Sequence, residues 1–144
     1  MKKLKKTILL ITTSILLCAC PKDENGTRYL TFVNKSEKRI DFQLHFLNGY
    51  ITYEDTQIQC EKLVFGVYSD TLRRLSAGTH SYWENEMKGY LHLQILVIDA
   101  IYYDKYVSAP CDTIRKYVPV LHRYQLTLED LQRMNWTVVY PPEE

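Results

Sequence analysis

The chain has 144 residues, 46% of them hydrophobic and 24% charged, with 18 Lys and Arg against 17 Asp and Glu. That profile suits one small globular domain and excludes both a disordered chain and an integral membrane bundle. Setting aside the four lysines of residues 1–19 leaves 14 basic and 17 acidic residues, a net charge of −3, which gives nucleic acid no electrostatic footprint.

Lys2, Lys3, Lys5 and Lys6 form a positive start, and Ile8 to Leu17 form an apolar stretch broken only by Thr12, Thr13 and Ser14. Small Ala19 then precedes Cys20, so residues 1–19 read as a secretory signal peptide. A helix over residues 7–19 would reach about 20 Å, short of the ~30 Å bilayer core, which makes a spanning anchor the weaker reading. Leu17-Cys18-Ala19-Cys20 resembles a bacterial lipobox with Cys20 as the acylated residue; cleavage before Cys18 would place bulky Leu17 where a small residue belongs. Several acyl chains would hold the domain on a membrane. Pro21-Lys22-Asp23-Glu24 resembles the Bacteroidetes lipoprotein export signal, carried here by Lys22, Asp23 and Glu24. The resemblance implies the outer face of the outer membrane, with residues 20–27 as a lipidated tether; the periplasmic face is the alternative.

Residues 28–142 then read as one β-rich domain. Arg28 to Val33 is a strand ended by the turn Asn34-Lys35-Ser36. Ile40, Phe42, Leu44 and Phe46 alternate with Asp41, Gln43 and His45, the period of a half-buried strand whose polar side faces solvent. Residues 48–62 form a long polar loop opened by Asn48-Gly49, residues 63–68 a short strand, and residues 76–79 a turn. Trp83 to Lys88 fits one helical turn before Gly89. Leu91, Leu93, Ile95 and Val97 alternate while Leu96 and Ile98 add apolar weight on the other side, making this the most hydrophobic strand and the sheet centre.

Residues 100–108 read as a loop. Ser108 before Ala109-Pro110 reads as the cap of a short helix reaching Lys116. Val118 to Leu126 is a strand whose early Pro119 suits either an edge or a strand start. Thr127 caps a helix that aligns Leu128, Leu131 and Met134, and Trp136 to Tyr140 is a last strand. The expected fold is mainly β, a sandwich-like single domain with two or three short helices in the C-terminal half.

The run Arg123-Tyr124-Gln125-Leu126-Thr127-Leu128-Glu129-Asp130-Leu131 through Asn135-Trp136-Thr137 resembles a recurrent ending of small Bacteroidetes lipoproteins of unknown function. Residues 96–100 and 112–117 fit the same pattern, in which a strand ends in Asp and a short helix follows. The likeness covers residues 60–142 and implies architecture alone; no catalytic or binding residue is carried over.

Chemistry-bearing groupings are sparse. Beyond the lipobox only Cys60 and Cys111 remain, and in an exported chain they either form a disulfide or stay as buried thiols. His45, His80, His92 and His122 lack zinc-site spacing, and His45 and His92 fall on the polar side of strands, so no metal or other cofactor is expected. No Gly-x-Ser-x-Gly elbow or glycine-rich phosphate loop is present. Asp99 at a strand end with Asp104 beyond it is the one carboxylate pair that resembles an acid/base site.

Twelve tyrosines are the stronger feature, with Tyr102, Tyr103 and Tyr106 clustered beside Lys105, and Tyr50 and Tyr53 in the long loop. Tyrosine suits contact surfaces, although it equally packs over the ends of a small sandwich. Asp70-Thr71-Leu72 and Asp112-Thr113-Ile114 resemble the O-glycosylation acceptor of exported Bacteroidetes proteins, with Thr71 in a loop and Thr113 in a helix. Asn25, Asn34 and Asn135 match the N-glycan acceptor, for which a bacterial lipoprotein has no evident use. The expected function is a non-catalytic surface interaction or structural module with a protein or glycan partner. The alternatives are a periplasm-facing accessory or inhibitor of an envelope protein, and a glycan hydrolase acting through Asp99 and Asp104.

Overall fold

A computed structural model describes residues 26–142; the signal segment 1–19, Cys20, Lys22, Asp23, Glu24 and Asn25 lie outside the described residues. Among those described, seven strands form two sheets: β1 (Tyr29–Asn34), β2 (Ile40–Leu47), β3 (Phe65–Val67), β4 (Thr71–Ser76), β5 (His92–Asp99), β6 (Val120–Leu126) and β7 (Thr137–Tyr140). The strand orders are β4-β1-β7 and β3-β2-β5-β6, antiparallel throughout except for β1 with β7. Four short helices accompany them: α1 (Trp83–Glu86), α2 (Ala100–Tyr106), α3 (Cys111–Tyr117) and α4 (Leu128–Arg133). The fold is mainly β and sandwich-like, with one helix more than the two or three expected.

The main core follows from the period-two patterning of the strands. Ile40 and Phe42 of β2, Leu93, Ile95 and Val97 of β5, and Tyr124 and Leu126 of β6 meet Leu30 and Phe32 of β1 and Val138 of β7. Phe32 stacks on Phe42 across the two sheets with ring centroids 4.4 Å apart. The strand with most apolar residues, β5, pairs on both sides and is central, and β6 behind Pro119 is an edge strand.

The polar alternation of β2 leads elsewhere than expected. Asp41, Gln43 and His45 are buried, as are Gln94, Leu96 and Ile98 on the corresponding positions of β5. Residues 48–64 cross this outer face as a strap that contains a 3-10 turn at Glu54–Thr56, and α2 and α3 cover the face beside it. Ile58 of the strap, Ile98, Ile114 of α3 and Val118 form a second, smaller apolar cluster. The four-stranded sheet is therefore covered on both faces, and polar residues at period two do not mark solvent here.

Two further elements depart from expectation. Residues 71–76, where the sequence predicts a loop at Thr71 leading to the turn at 76–79, form the edge strand β4 against β1. Its Leu72, Arg73 and Arg74 are exposed, which hides a strand from hydrophobic patterning and blunts the edge against unwanted pairing. Residues 100–108, expected as a loop, hold α2, started by Asp99 rather than ended by it. In α3, Pro110 in extended geometry stands at the cap position and helix begins at Cys111, so Ser108 is not the cap. The α4 start is as expected: Thr127 Oγ1 accepts from the Asp130 N–H at 3.1 Å, and Asp130 Oδ2 accepts from the Thr127 N–H at 3.0 Å.

Gly26 and Thr27, assigned to the tether, are docked on the domain. The Thr27 N–H donates to Glu84 Oε2 at 2.7 Å, and the Thr27 carbonyl accepts from the Trp83 N–H at 2.9 Å. Gly26 has φ +125°, and a Cβ there would lie 2.7 Å from Glu84 Oε2.

The turn after β1 is fixed by Asn34, which is fully buried. Its Nδ2 donates to the carbonyls of Lys38 at 2.7 Å, Tyr68 at 3.1 Å and Val67 at 3.2 Å, and its Oδ1 accepts from the Ser36 N–H at 2.9 Å. One amide thereby ties the β1–β2 turn to the end of β3, joining the two sheets at that end. Asn34→Ala would leave the buried Val67 carbonyl without a partner and remove the ties to Lys38, Tyr68 and Ser36, and should lower stability by about 1–3 kcal/mol. A denaturant midpoint unchanged in that variant would contradict the role.

Candidate contact surface

Helix α2 is positioned by its first residue. Asp99 Oδ1 accepts from the N–H groups of Ile101 at 2.9 Å and Tyr102 at 3.1 Å, capping the helix. Helical spacing then separates the three tyrosines that the sequence grouped. Tyr102 is exposed, whereas Tyr103 and Tyr106 pack against the smaller apolar cluster. Tyr106 stacks on Tyr117 of α3, centroids 5.2 Å apart, and Lys105 and Lys116 place their Nζ atoms 5.2 and 5.0 Å from the Tyr106 and Tyr117 rings. Burial, with the Asp41 and Asp104 charges nearby, pushes the Tyr103 hydroxyl pKa up. Tyr102 and Tyr117 therefore present the rings, while Tyr103 and Tyr106 anchor the shelf.

The strap carries Tyr50 and Tyr53, both exposed, and is held by side chains that reach its backbone. Gln43 Nε2 donates to the Gln59 carbonyl at 2.8 Å, and the Gln59 N–H donates back to Gln43 Oε1 at 3.1 Å. Gln94 Nε2 donates to the Asp55 carbonyl, Arg115 Nε to the Ile58 carbonyl at 2.9 Å, and Arg123 Nη2 to the Thr56 carbonyl at 3.2 Å. Cys60 and Cys111 are bonded, S–S 2.08 Å, joining the strap to the first residue of α3. Of the two states the sequence left open, the structure contains the disulfide.

The paired carboxylates are engaged separately. Asp99 caps α2, and Asp104 accepts from Arg39 Nη1 at 2.7 Å. The same guanidinium donates from Nη2 to both oxygens of Asp41 at 3.1 and 3.2 Å. Asp41 is buried, and desolvation raises its pKa despite the opposing Arg39 charge. Gly66 of β3 leaves room for this pair, since a Cβ there would lie 3.1 Å from Asp41 Oδ1. Sequence reasoning passed over Arg39 and Asp41 because an acid at period two reads as solvent-facing.

The remaining candidates are scattered. Thr71 opens β4, exposed, its Oγ1 donating to the Tyr68 carbonyl at 2.8 Å; Thr113 is half-buried in α3. Asn34 is the buried turn residue described above. His45 is buried, His92 is half-buried, His122 packs edge-on against Tyr124, and His80 is exposed. No three His, Cys, Asp or Glu side chains assemble as a metal site among the described residues. An open cleft of about 340 Å³, lined by Tyr124, Met134, Thr137, Val139 and Pro142, lies between β6 and β7 and includes none of the predicted site residues.

In comparison with known proteins, the chain matches no family model, no curated protein and no solved structure.

Two stability measurements probe this surface. Replacing Cys60 and Cys111 together by Ser opens a covalent loop whose ends are separated by 51 positions in sequence, which should cost about 4 kcal/mol in the chain-entropy model. Equal denaturant midpoints for parent and variant would deny the disulfide that role. Arg39→Met should destabilise by about 2 kcal/mol at pH 7, less than for a fully buried pair because Arg39 is partly exposed. An unpaired Asp41 has its folded pKa raised further above its unfolded value, so the penalty is present at neutral pH and vanishes as acid protonates the carboxyl in both states. Unfolding curves at pH 7 and pH 4 check that sign.

Proposed function

We propose that the chain is a lipid-anchored outer-membrane module, displayed at the cell surface, that acts by contact rather than by catalysis. Acylation at Cys20 holds it on the lipid, and Lys22, Asp23 and Glu24 direct it outward. Its contact surface combines Tyr50 and Tyr53 of the strap with Tyr102 and Tyr117 of the α2–α3 shelf. The observation that carries this reading is that these four rings face solvent on elements fastened to one sheet face by a disulfide and side-chain-to-backbone hydrogen bonds. Tyrosine has few rotatable bonds, so an exposed ring loses little side-chain entropy when a protein or glycan covers it. The disulfide suits a compartment outside the reducing cytoplasm. Asp99 and Asp104, the hydrolase alternative, serve here as a helix cap and an ion-pair partner.

Protease shaving of intact cells tests the placement. The parent should be cleaved, and a Lys22-Asp23-Glu24→Ala variant protected; protection of both would turn the reading to the periplasmic face. Cross-linking in cells tests the surface, with Tyr50, Tyr53, Tyr102 and Tyr117 each changed to Ser. A partner lost in that variant and kept in the parent is expected. An unchanged cross-linking pattern would remove these rings from the surface.

A further inference from the structure

The strap is fastened in two unequal halves. Residues 58–64 are held by buried Ile58, by the grip of Gln43 on Gln59, by Arg115 on the Ile58 carbonyl and by the disulfide at Cys60. Residues 49–57, which display Tyr50 and Tyr53, are tied to the sheet by Gln94 on the Asp55 carbonyl and by the exposed Arg123 contact to the Thr56 carbonyl. Ile58 meets a full apolar cluster, whereas residues 49–57 bury no residue completely.

Beneath the Gln94 tie lies His45, only 6% exposed. Its Nδ1 is 3.4 Å from Gln94 Nε2, while its Nε2 has no protein hydrogen-bond partner. The orientation of the Gln94 amide follows from chemistry: the Asp55 carbonyl is an acceptor only, so the NH₂ group must face it. The second amide hydrogen then points toward His45 Nδ1, which must accept, so the ring fits as the neutral tautomer protonated on Nε2. A second proton would set an Nδ1–H against an N–H. Relief comes from rotating the Gln94 amide, which turns its Oε1, without a partner in the closed arrangement, toward the new Nδ1–H and withdraws its NH₂ from the Asp55 carbonyl, so the Gln94 tie breaks.

We infer that protonation of His45 releases residues 49–57 of the strap, with Tyr50 and Tyr53, while residues 58–64 stay seated. The inference goes beyond the proposed function and stands on the strap geometry wherever the chain resides. Charged groups around the ring act in both directions: Lys62 opposes a second positive charge, and the Asp55 and Glu61 carboxylates, with the Asp55 carbonyl, favour it. Burial is the largest influence and holds the imidazole below its ordinary value of 6.5. A histidine depressed in the closed state and ordinary in the open one favours closure above about pH 6.5 and loses that advantage as pH falls.

Amide hydrogen exchange on the full-length chain in detergent, corrected for intrinsic rates, tests this at pH 7.5 and pH 5.5. Opening of residues 50–57 should rise, by at most about tenfold, because the open-state ring takes up a proton over that range more readily than the closed one. Residues 58–64 should change less than about twofold. His45→Asn supplies an Oδ1 acceptor near the Nδ1 position and should keep residues 50–57 closed at both pH values. No rise in residues 50–57, an equal rise in both halves, or a rise that persists in a folded His45→Asn variant would overturn the inference. Should that variant fail to fold, proton NMR titration of His45 in the parent decides: a midpoint below 6.5 with selective loosening supports it, and a midpoint at or above 6.5 overturns it.

Discussion

The larger sheet, β3-β2-β5-β6, is covered on both faces by other parts of the same chain. One side of β2 and β5 is apolar and meets the other sheet, the ordinary arrangement of a sandwich. The other side carries Asp41, Gln43, His45 and Gln94, groups that must find partners once water is excluded. The strap supplies them for Gln43 and for the Gln94 amide nitrogen, because an irregular segment has backbone groups unused by its own secondary structure. Gln43 meets both the carbonyl and the N–H of Gln59, and Gln94 meets the Asp55 carbonyl. Polar side chains of the sheet and the bare backbone of the strap thus satisfy each other, which explains how a long loop can lie against a sheet without forming a strand.

That solution sets where the covalent bond matters. The strap contributes Ile58 to the smaller apolar cluster, a modest area for holding a long segment. Cys60 lies two residues beyond Ile58, and its partner Cys111 begins α3, whose Ile114 belongs to the same cluster. The disulfide therefore reinforces a site where burial is already best and leaves the more distant half of the strap to hydrogen bonds. Asp41 at the start of β2 is handled differently, by a guanidinium that also reaches Asp104 on α2. This fixes the helix against the sheet through charge, with Gly66 leaving room above the pair.

Sequence patterning disclosed the inner face of the fold and misread the outer one for a single reason. Alternation reports that the two sides of a strand differ, and it assigns the polar side to water only when nothing covers it. Ile40 and Phe42 were legible as core on those grounds; Gln43 and His45 were not, because their cover comes from residues 48–64, whose own composition is that of a loop. Strand β4 was invisible for the complementary reason, since Leu72, Arg73 and Arg74 at an edge show no buried side. Helix α2 is hidden because Asp99 reads as a strand end, although the same carboxyl is a cap. The Thr127 cap is legible because it stands directly before the helical spacing of Leu128, Leu131 and Met134, whereas the return bond from Asp130 that completes a capping box is supplied by the structure.

The same distinction governs what the tyrosines reveal. Composition indicates abundant rings and spacing groups Tyr102, Tyr103 and Tyr106, but only a helix sends Tyr103 and Tyr106 inward while turning Tyr102 out. Tyr117 joins them through stacking across α2 and α3, a long-range contact that no local pattern encodes. On the shelf the contact surface is a property of the packed layer, since Tyr102 and Tyr117 depend on the inward-packed Tyr103 and Tyr106 that fix the helices beneath them. Its rigidity should therefore be uneven. It is greatest where the shelf shares the apolar cluster with Ile58, and least at the end of the strap where polar ties alone replace burial.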